Sequence, residues 1–425
     1  MEKIAIIGFG GAGYSAAKEI RKNDRSAELH VYSDTGIGPY NPMLTTYYVK
    51  GAIPYEGMFP FGSLEEISEE LELIIHTELP VTGIRATEKI LEFADGRQEQ
   101  FDKIVITTGA SAIMPPVPGI SLPGVFKMRT VQDAVDLKKA LDANRVRDCL
   151  VIGASWVGIK VVEDIRERGL SCTLVDGASL MFCTAAFQET SDRARKDLEE
   201  KGVKVSCGQM LSSIEQEADG RLKAVMKSGD TFTADMVAVC VGVRTNTAFV
   251  RESGIELNRG IIVNSRMETN VPGIYAAGDC CEALDTQAGI HRNIGVWLNA
   301  IQQGRVAGAN ASGHPAEFDA NVLVNLAHYL DYDFISIGDI SGCRPEDPVY
   351  EYEDEHLYIR AVRRDGRIQC LNVINSADSN GLLKNIFIKS LKSPEAALDI
   401  PSICKLRAKG FPESFIELLG GKCID

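Results

Sequence analysis

The stretch that decides the fold is Lys3-Ile-Ala-Ile-Ile-Gly-Phe-Gly-Gly-Ala-Gly13. Residues 3–7 read as a buried strand, residues 12–21 follow at helical spacing, and residues 28–33 read as a second strand, so the chain opens as a βαβ unit. Between strand and helix stands Gly8-Phe9-Gly10-Gly11-Ala12-Gly13. Gly8 makes the tight turn, Gly10 lets a pyrophosphate approach the backbone, and Gly13 lets helix and strand pack closely. The pyrophosphate would rest on free N–H groups at the positive end of the helix dipole. Asp34 follows the second strand, about 20 residues beyond the last glycine, where a carboxylate accepts from a ribose hydroxyl.

Working outward, the pattern recurs. Residues 64–73 read as an amphipathic helix, 84–101 as a hairpin or meander, and 104–108 as a buried strand before Gly109. Met114-Pro-Pro-Val-Pro-Gly119 is too proline-rich for a helix or central strand and reads as a linker. A second unit then runs through strand 149–152, helix 157–168, strand 172–175, a mostly helical stretch 182–201 and strand 236–241. Strand 274–277 and helix 298–309 complete the first unit. Beyond residue 320 the strand-like runs 334–340 and 356–363 alternate as antiparallel strands do, and 386–391 and 415–419 are helix or strand fragments. The expected class is α/β: two Rossmann-like dinucleotide-binding domains, one inserted in the other, plus a C-terminal α+β interface domain. The expected boundaries are 1–113 with 241–320 for the first domain, 114–240 for the second and 321–425 for the third.

Composition narrows the function. A chain of 425 residues with 45% hydrophobic residues builds several cores. A net charge of −14 argues against nucleic acid and anionic membrane as partners. No apolar run is long enough to span a bilayer and the N-terminus lacks the parts of a signal peptide, so the expected compartment is the cytoplasm. The 11 cysteines are scattered, with no C-x-x-C pair, which argues against a zinc ribbon or thioredoxin-type centre; no metal site is expected. Most read as buried free thiols.

Two more segments carry chemistry. Gly153-Ala-Ser155-Trp-Val-Gly158 again joins a strand to a helix, with Ser155 small enough to stand for the middle glycine. Asp176 follows the next strand, and Gly177-Ala-Ser179 offers no arginine beside it. A 2′-phosphate would meet that carboxylate unpaired, which favours NADH over NADPH. The third segment, Thr269 to Asp279, ends a strand at Gly278-Asp279, where a carboxylate suits a polyol hydroxyl such as the ribityl chain of FAD.

On these residues the sequence resembles the two-dinucleotide-binding-domain flavoproteins, the NADH oxidase, rubredoxin and ferredoxin reductase, nitrite reductase and CoA-disulfide reductase branch of the pyridine nucleotide-disulfide oxidoreductases. Thr107-Thr108-Gly109, Arg129 in Met-Arg-Thr-Val-Gln-Asp, Cys240-Val-Gly242 and Trp297-Leu-Asn-Ala-Ile-Gln-Gln-Gly304 add to the likeness. The resemblance implies FAD on Gly8, Gly10, Gly13, Asp34, Thr108, Gly109, Arg129, Gly278, Asp279 and Trp297. It implies the nicotinamide dinucleotide on Gly153, Ser155, Gly158 and Asp176. It further implies a dimerising C-terminal domain, and hydride transfer from nicotinamide to flavin N5 before electrons leave to an acceptor.

The sequence also departs from the family. Asp34-Thr-Gly-Ile-Gly-Pro-Tyr-Asn-Pro-Met-Leu-Thr-Thr-Tyr-Tyr48, where thiol-dependent members carry redox cysteines, has none. A disulfide mechanism needs a thiolate beside the flavin, so disulfide reductase activity is not expected. Cys280 and Cys281 read as structural. Lys160 stands where ferredoxin-reductase-like members place a glutamate. It is either a flavin or substrate contact or the partner of Glu163 or Asp164 on one helix face. Tyr47 could shape the flavin-facing loop, and His291 could act as a general acid. Arg360, Arg363, Arg364 and Arg367 either dock an acidic carrier or form a solvated face neutralised by Glu351 to Glu355. The expected activity is an FAD-dependent NAD(P)H:acceptor oxidoreductase, the acceptor being a redox protein, a partner subunit or a small molecule. Its expected state is a homodimer or a subunit of a larger redox complex. A flavoenzyme acting on one organic substrate and a non-enzymatic FAD-bearing scaffold are the alternatives.

Overall fold

Four consecutive buried residues, Ile4 to Ile7, sit between two strands that are themselves mostly buried, and that is the signature of a central parallel strand. In the computed structural model, which describes residues 1–143, 145–393 and 397–421, this strand is the middle of a five-stranded parallel sheet. Its order is Ile274–Ala276, Lys103–Ile106, Lys3–Ile7, Glu28–Tyr32, Leu73–His76. Residue 144, residues 394–396 and residues 422–425, parts of the expected domains 114–240 and 321–425, lie outside the described residues.

The chain divides into two compact units, the first of Met1–Ile113, Arg129–Lys138 and Gly242–Asn321, the second of Met114–Met128, Lys139–Val241 and Val322–Asp425. The second has its own parallel sheet in the order Val203–Cys207, Ser171–Asp176, Asp148–Ile152, Met236–Val239, Val125–Lys127. The two sheets have the same plan. A strand–turn–helix leads to a neighbour on one side, and the chain then crosses to the other side. Each also carries a three-stranded antiparallel meander, built from 81–100 in one case and 211–234 in the other. The expected class, two Rossmann-like domains and a C-terminal α+β segment, is the observed one.

In the first unit the helix Gly11–Asn23 packs on the helix Trp297–Ala311 through small residues. A methyl on Gly304 would fall 2.2 Å from the Ala12 carbonyl oxygen, and one on Gly308 2.5 Å from that of Ala16. Only glycine allows so close a crossing.

The C-terminal segment is a five-stranded antiparallel sheet with the helices Asn380–Lys392, Ile400–Ala408 and Glu413–Leu418. Its strands alternate. Ile335, Ile337, Ile359, Ala361, Leu371 and Val373 share one apolar core with Leu383, Phe387, Leu406 and Phe415 of the helices. The opposite face holds Phe334, Ser336, Tyr358, Arg360 and Asn372, and it covers the nucleotide-type half of the same unit. Phe334 stacks on Trp156 at 5.2 Å, the Arg193 guanidinium lies 4.1 Å from the Tyr358 ring, and Arg360 pairs with Glu189.

One stretch differs from expectation. Helix begins only at Gln188, and residues 182–187 form an irregular loop. Phe182 is buried in a left-handed conformation at φ +52°. The Ala185 carbonyl is drawn out of any helix by hydrogen bonds from Ser336 Oγ (2.7 Å) and Asn372 Nδ2 (2.9 Å). Asn372 Oδ1 also accepts from the Phe187 N–H at 3.0 Å. Two fully matched buried polar groups outweigh the local helical preference.

Candidate functional site

The first glycine turn has the geometry its residues imply. Gly8 has φ +93°, and a methyl there would meet the Thr107 carbonyl oxygen at 2.5 Å. A methyl on Gly13 would lie 2.3 Å from the Gly8 carbonyl oxygen, so helix and strand are as close as backbone permits. Gly10, by contrast, faces open space, with nothing within 4 Å of an added methyl. Gly10 caps the helix Gly11–Asn23, no acid stands in its first turn, and no side chain caps it. The leading N–H groups are therefore left for an anion.

Of the other residues expected to hold FAD, Gly278 and Trp297 lie against the helix that follows this turn. Arg129 and Asp279, 150 residues apart, form an ion pair with Nη2 to Oδ2 at 2.5 Å, and Arg129 Nε donates to the Ala110 carbonyl at 3.1 Å. Gly278, at φ +81°, lies against Ala12, and its N–H donates to Gln303 Oε1 at 2.8 Å. Thr108 and Gly109 are tied to Asn246: Thr108 Oγ1 donates to the Asn246 carbonyl at 2.7 Å, and the Asn246 N–H donates to the Gly109 carbonyl at 2.9 Å. Trp297 opens the second helix with its ring against Gly11, and its Nε1 is a buried donor with no acceptor among the described residues. Asp34 is exposed at the end of its strand. Open space over Gly10, an unpartnered indole N–H beside the first helix and uncapped helix starts fit a bound dinucleotide; a filled, self-satisfied turn would not.

The second unit repeats the device. Gly153 has φ +112°, its added methyl 2.2 Å from the Cys240 carbonyl oxygen, and a methyl on Gly158 would fall 1.8 Å from the Gly153 carbonyl oxygen. Ser155 caps the helix Trp156–Glu167 in extended conformation without using its hydroxyl. The Asp176 carboxylate accepts from the Ala154 N–H at 2.5 Å and the Ala178 N–H at 2.7 Å, so it is held at the lip of the turn. Trp156 packs between Phe182 (4.8 Å) and Phe334 (5.2 Å). Sequence reasoning missed this buttress. The signal was a tryptophan, one of two in the chain, inside a turn that tolerates any residue at that place.

Tyr47 lies on the helix Leu44–Lys50 and is 39% exposed. His291 is exposed on the short strand His291–Arg292, opposite Leu284. Both belong to the first unit and Lys160 to the second. Lys160 Nζ pairs with fully buried Glu163 and donates to the His328 carbonyl at 2.8 Å. This is the helix-face pairing that the sequence offered as one of its two readings. Next to it Asp164 is fully buried, neither oxygen has a hydrogen-bond partner among the described residues, and burial pushes its carboxyl well above the usual range. Cys280 and Cys281 are buried thiols whose Sγ atoms donate to main-chain carbonyls, and burial raises both. Within the arginine cluster, Arg360 also pairs with Glu351, and Arg364 with Asp347. Among the described residues no group of three or more acids, histidines and cysteines could hold a metal, and no helix is long and apolar enough to cross a membrane.

Comparison with known proteins agrees with this geometry. An NADH oxidase of Methanocaldococcus jannaschii is 30% identical over 318 residues, 74% of this chain and 70% of that one. The epsilon subunit of the NADH-dependent phenylglyoxylate dehydrogenase of Aromatoleum evansii is 25% identical over 391 residues, 91% of each chain. Among solved structures, a water-forming NADH oxidase from Lactobacillus brevis bound to NADH superposes with a TM-score of 0.85 at 21% identity, covering 98% of this chain and 100% of that one. Residues 2–304 match the family described as pyridine nucleotide-disulphide oxidoreductase. With two glycine turns of matching geometry and most of its length inside that match, the chain belongs to the pyridine nucleotide-disulphide oxidoreductases, enzymes that work with FAD and a nicotinamide dinucleotide.

Proposed function

We propose that the protein is an FAD-dependent NADH:acceptor oxidoreductase that hands electrons to a protein acceptor, a redox carrier or a partner subunit, without a disulfide beside the flavin. The observation that carries this reading is the cysteine-free segment from Asp34 to Tyr48 in a chain whose two dinucleotide turns are otherwise intact. The likeness to a dehydrogenase subunit over 91% of both chains, C-terminal segment included, supports a partner subunit as acceptor. When bound, FAD would supply the two-electron redox chemistry that links the nicotinamide to the acceptor.

The chain's own residues bind and orient. Gly8, Gly10 and Gly13 admit the FAD pyrophosphate, and Asp34 takes its ribose. Arg129 and Asp279 brace each other beside the flavin chain, with Thr108, Gly109 and Gly278 shaping the backbone and Trp297 Nε1 supplying a donor. Gly153, Ser155 and Gly158 admit NADH, and Asp176 accepts from its ribose hydroxyl; a 2′-phosphate there would meet a carboxylate. Tyr47 and His291 are candidates to line the reacting face. Lys160, bound to Glu163 and the His328 carbonyl, is a positioning residue for the helix it stands on. Residues 321–425 form the third domain and serve as the interface of a homodimer or a larger complex, in the cytoplasm.

The test is NADH oxidation by the purified holoprotein with rubredoxin- and ferredoxin-type carriers, with dioxygen and with low-molecular-weight disulfides, at low and high salt. The reading expects carrier reduction that falls with salt and no turnover of disulfides. Efficient disulfide turnover would overturn it.

A further inference from the structure

Two cysteines outside both glycine turns touch one another. Cys370 is fully buried on the strand Arg367–Ile374, and Cys343 is half-buried in the loop that follows Ile340–Gly342. Their Sγ atoms are 2.7 Å apart. That lies between a covalent S–S bond of about 2.05 Å and the roughly 3.5–4.0 Å at which non-bonded heavy atoms rest. The adjacent buried thiols of the first unit, Cys280 and Cys281, instead point at main-chain carbonyls.

The loop is built to hold this contact. The Cys343 N–H donates to the Ile340 carbonyl at 3.1 Å, and Arg364 Nη2 donates to the Gly342 carbonyl at 2.8 Å. Arg364 is itself fixed by Asp347, whose carboxylate also accepts from the Arg344 N–H at 2.7 Å. Gly338 pairs with Cys370 across the strands, and a methyl there would meet Cys370 Cα at 2.9 Å, so the two strands approach closely where Cys370 stands.

We propose that Cys343 and Cys370 are a redox-active dithiol that closes to a disulfide, with Cys343 attacking first and a low-molecular-weight disulfide such as glutathione disulfide as the oxidant. The Cys343 thiolate attacks one sulfur of the oxidant, breaks its S–S bond and releases one thiol. Cys370 then loses its proton and attacks Cys343 Sγ in the mixed disulfide, releasing the second thiol. Two protein thiols are oxidised and one external disulfide is reduced to two thiols. The order follows from the surroundings. The hydrogen bond from Cys370, with Arg364 nearby, holds the Cys343 thiol below its ordinary value. The same contact and burial push Cys370 up. Cys370 shares a strand face with Asn372, which holds the 182–187 loop, so the bond would form at the edge of the surface that supports the second glycine turn.

The full-length holoprotein is incubated with glutathione disulfide or with a phosphine reductant, alkylated, digested and mapped by mass spectrometry. The oxidised sample should yield a peptide cross-linked through Cys343 and Cys370 that is absent after reduction, whatever mixed disulfides form at the exposed Cys183 and Cys404. Cys370→Ser should stop at a Cys343–glutathione mixed disulfide, and Cys343→Ser should leave Cys370 unmodified. The proposal is overturned if both cysteines alkylate as fully after oxidation as after reduction, or if the wild-type protein stops at the mixed disulfide.

Discussion

Adding one methyl at Gly158 perturbs the second glycine turn and leaves the first untouched. In Gly158→Ala the new Cβ would start 1.8 Å from the Gly153 carbonyl oxygen, whereas ordinary contact begins near 3.4 Å. The oxygen cannot retreat. Gly153 is at φ +112°, its N–H is bound to the Val175 carbonyl at 2.7 Å, and its own Cα side faces the Cys240 carbonyl. The start of the helix Trp156–Glu167 must therefore move by about 1.6 Å, carrying the N–H groups after Ser155 with it. Overpacking of this kind costs about 1–3 kcal/mol of stability, and a misplacement of about 1 Å costs on the order of 100-fold in rate. The assay is anaerobic stopped-flow reduction of the bound flavin, by NADH and separately by dithionite. The expected result is kcat/KM for NADH lowered about 100-fold, with FAD content, flavin spectrum and dithionite reduction unchanged, because the flavin turn lies in the other compact unit. A variant reduced by NADH as fast as the wild type would show that this turn does not seat the hydride donor.

Three further outcomes follow from particular contacts. Gly10→Ala places its methyl in open space, so the apoprotein should melt as the wild type does while FAD copurification is lost, read by absorbance and thermal denaturation. Ser336→Ala leaves the Ala185 carbonyl still bound by Asn372 and should cost about 0.5–1.5 kcal/mol. Asn372→Ala orphans the Phe187 N–H and should cost about 1–3 kcal/mol. The double variant also strands the Ala185 carbonyl and should exceed the sum by about 1 kcal/mol or more; urea denaturation checks this, and simple additivity would contradict it. Asp164 has its carboxyl raised by burial, so the native state holds a proton that the unfolded chain, near 3.8, has released. That stability is fully present below the unfolded value and is lost as pH rises toward the native one. Asp164→Asn should flatten the decline and raise the unfolding midpoint at pH 8; an unchanged pH dependence would contradict the assignment.

Much of this was legible in the sequence, because the turn glycines and the apolar strands before them answer to local rules. Gly8, Gly13, Gly153 and Gly158 stand where only glycine fits, and that requirement is written in the chain itself. The strands Lys3–Ile7 and Asp148–Ile152 are apolar runs bounded by these turns, so their position and neighbours followed. What local rules could not give were features fixed by distant partners. Residues 182–187 carry no helix breaker, yet Ser336 and Asn372, far along the chain, unwind them. Trp156 belongs to a turn motif by position and to the C-terminal sheet by packing. Lys160 had two readings of equal standing on sequence, and the difference lay in the buried Glu163 one turn away and the His328 carbonyl. The contact between Cys343 and Cys370 joins a loop to a strand with no spacing motif to announce it.

An anaerobic titration of the purified yellow protein with NADH decides whether a chain with these two dinucleotide turns carries electrons from NADH to a bound flavin. Stoichiometric bleaching of the oxidised-flavin absorbance is expected, with NADPH far less effective because its 2′-phosphate would meet the Asp176 carboxylate, held at the turn by the Ala154 and Ala178 N–H groups. A flavin that stays oxidised with both nucleotides, yet is bleached by dithionite, would contradict it.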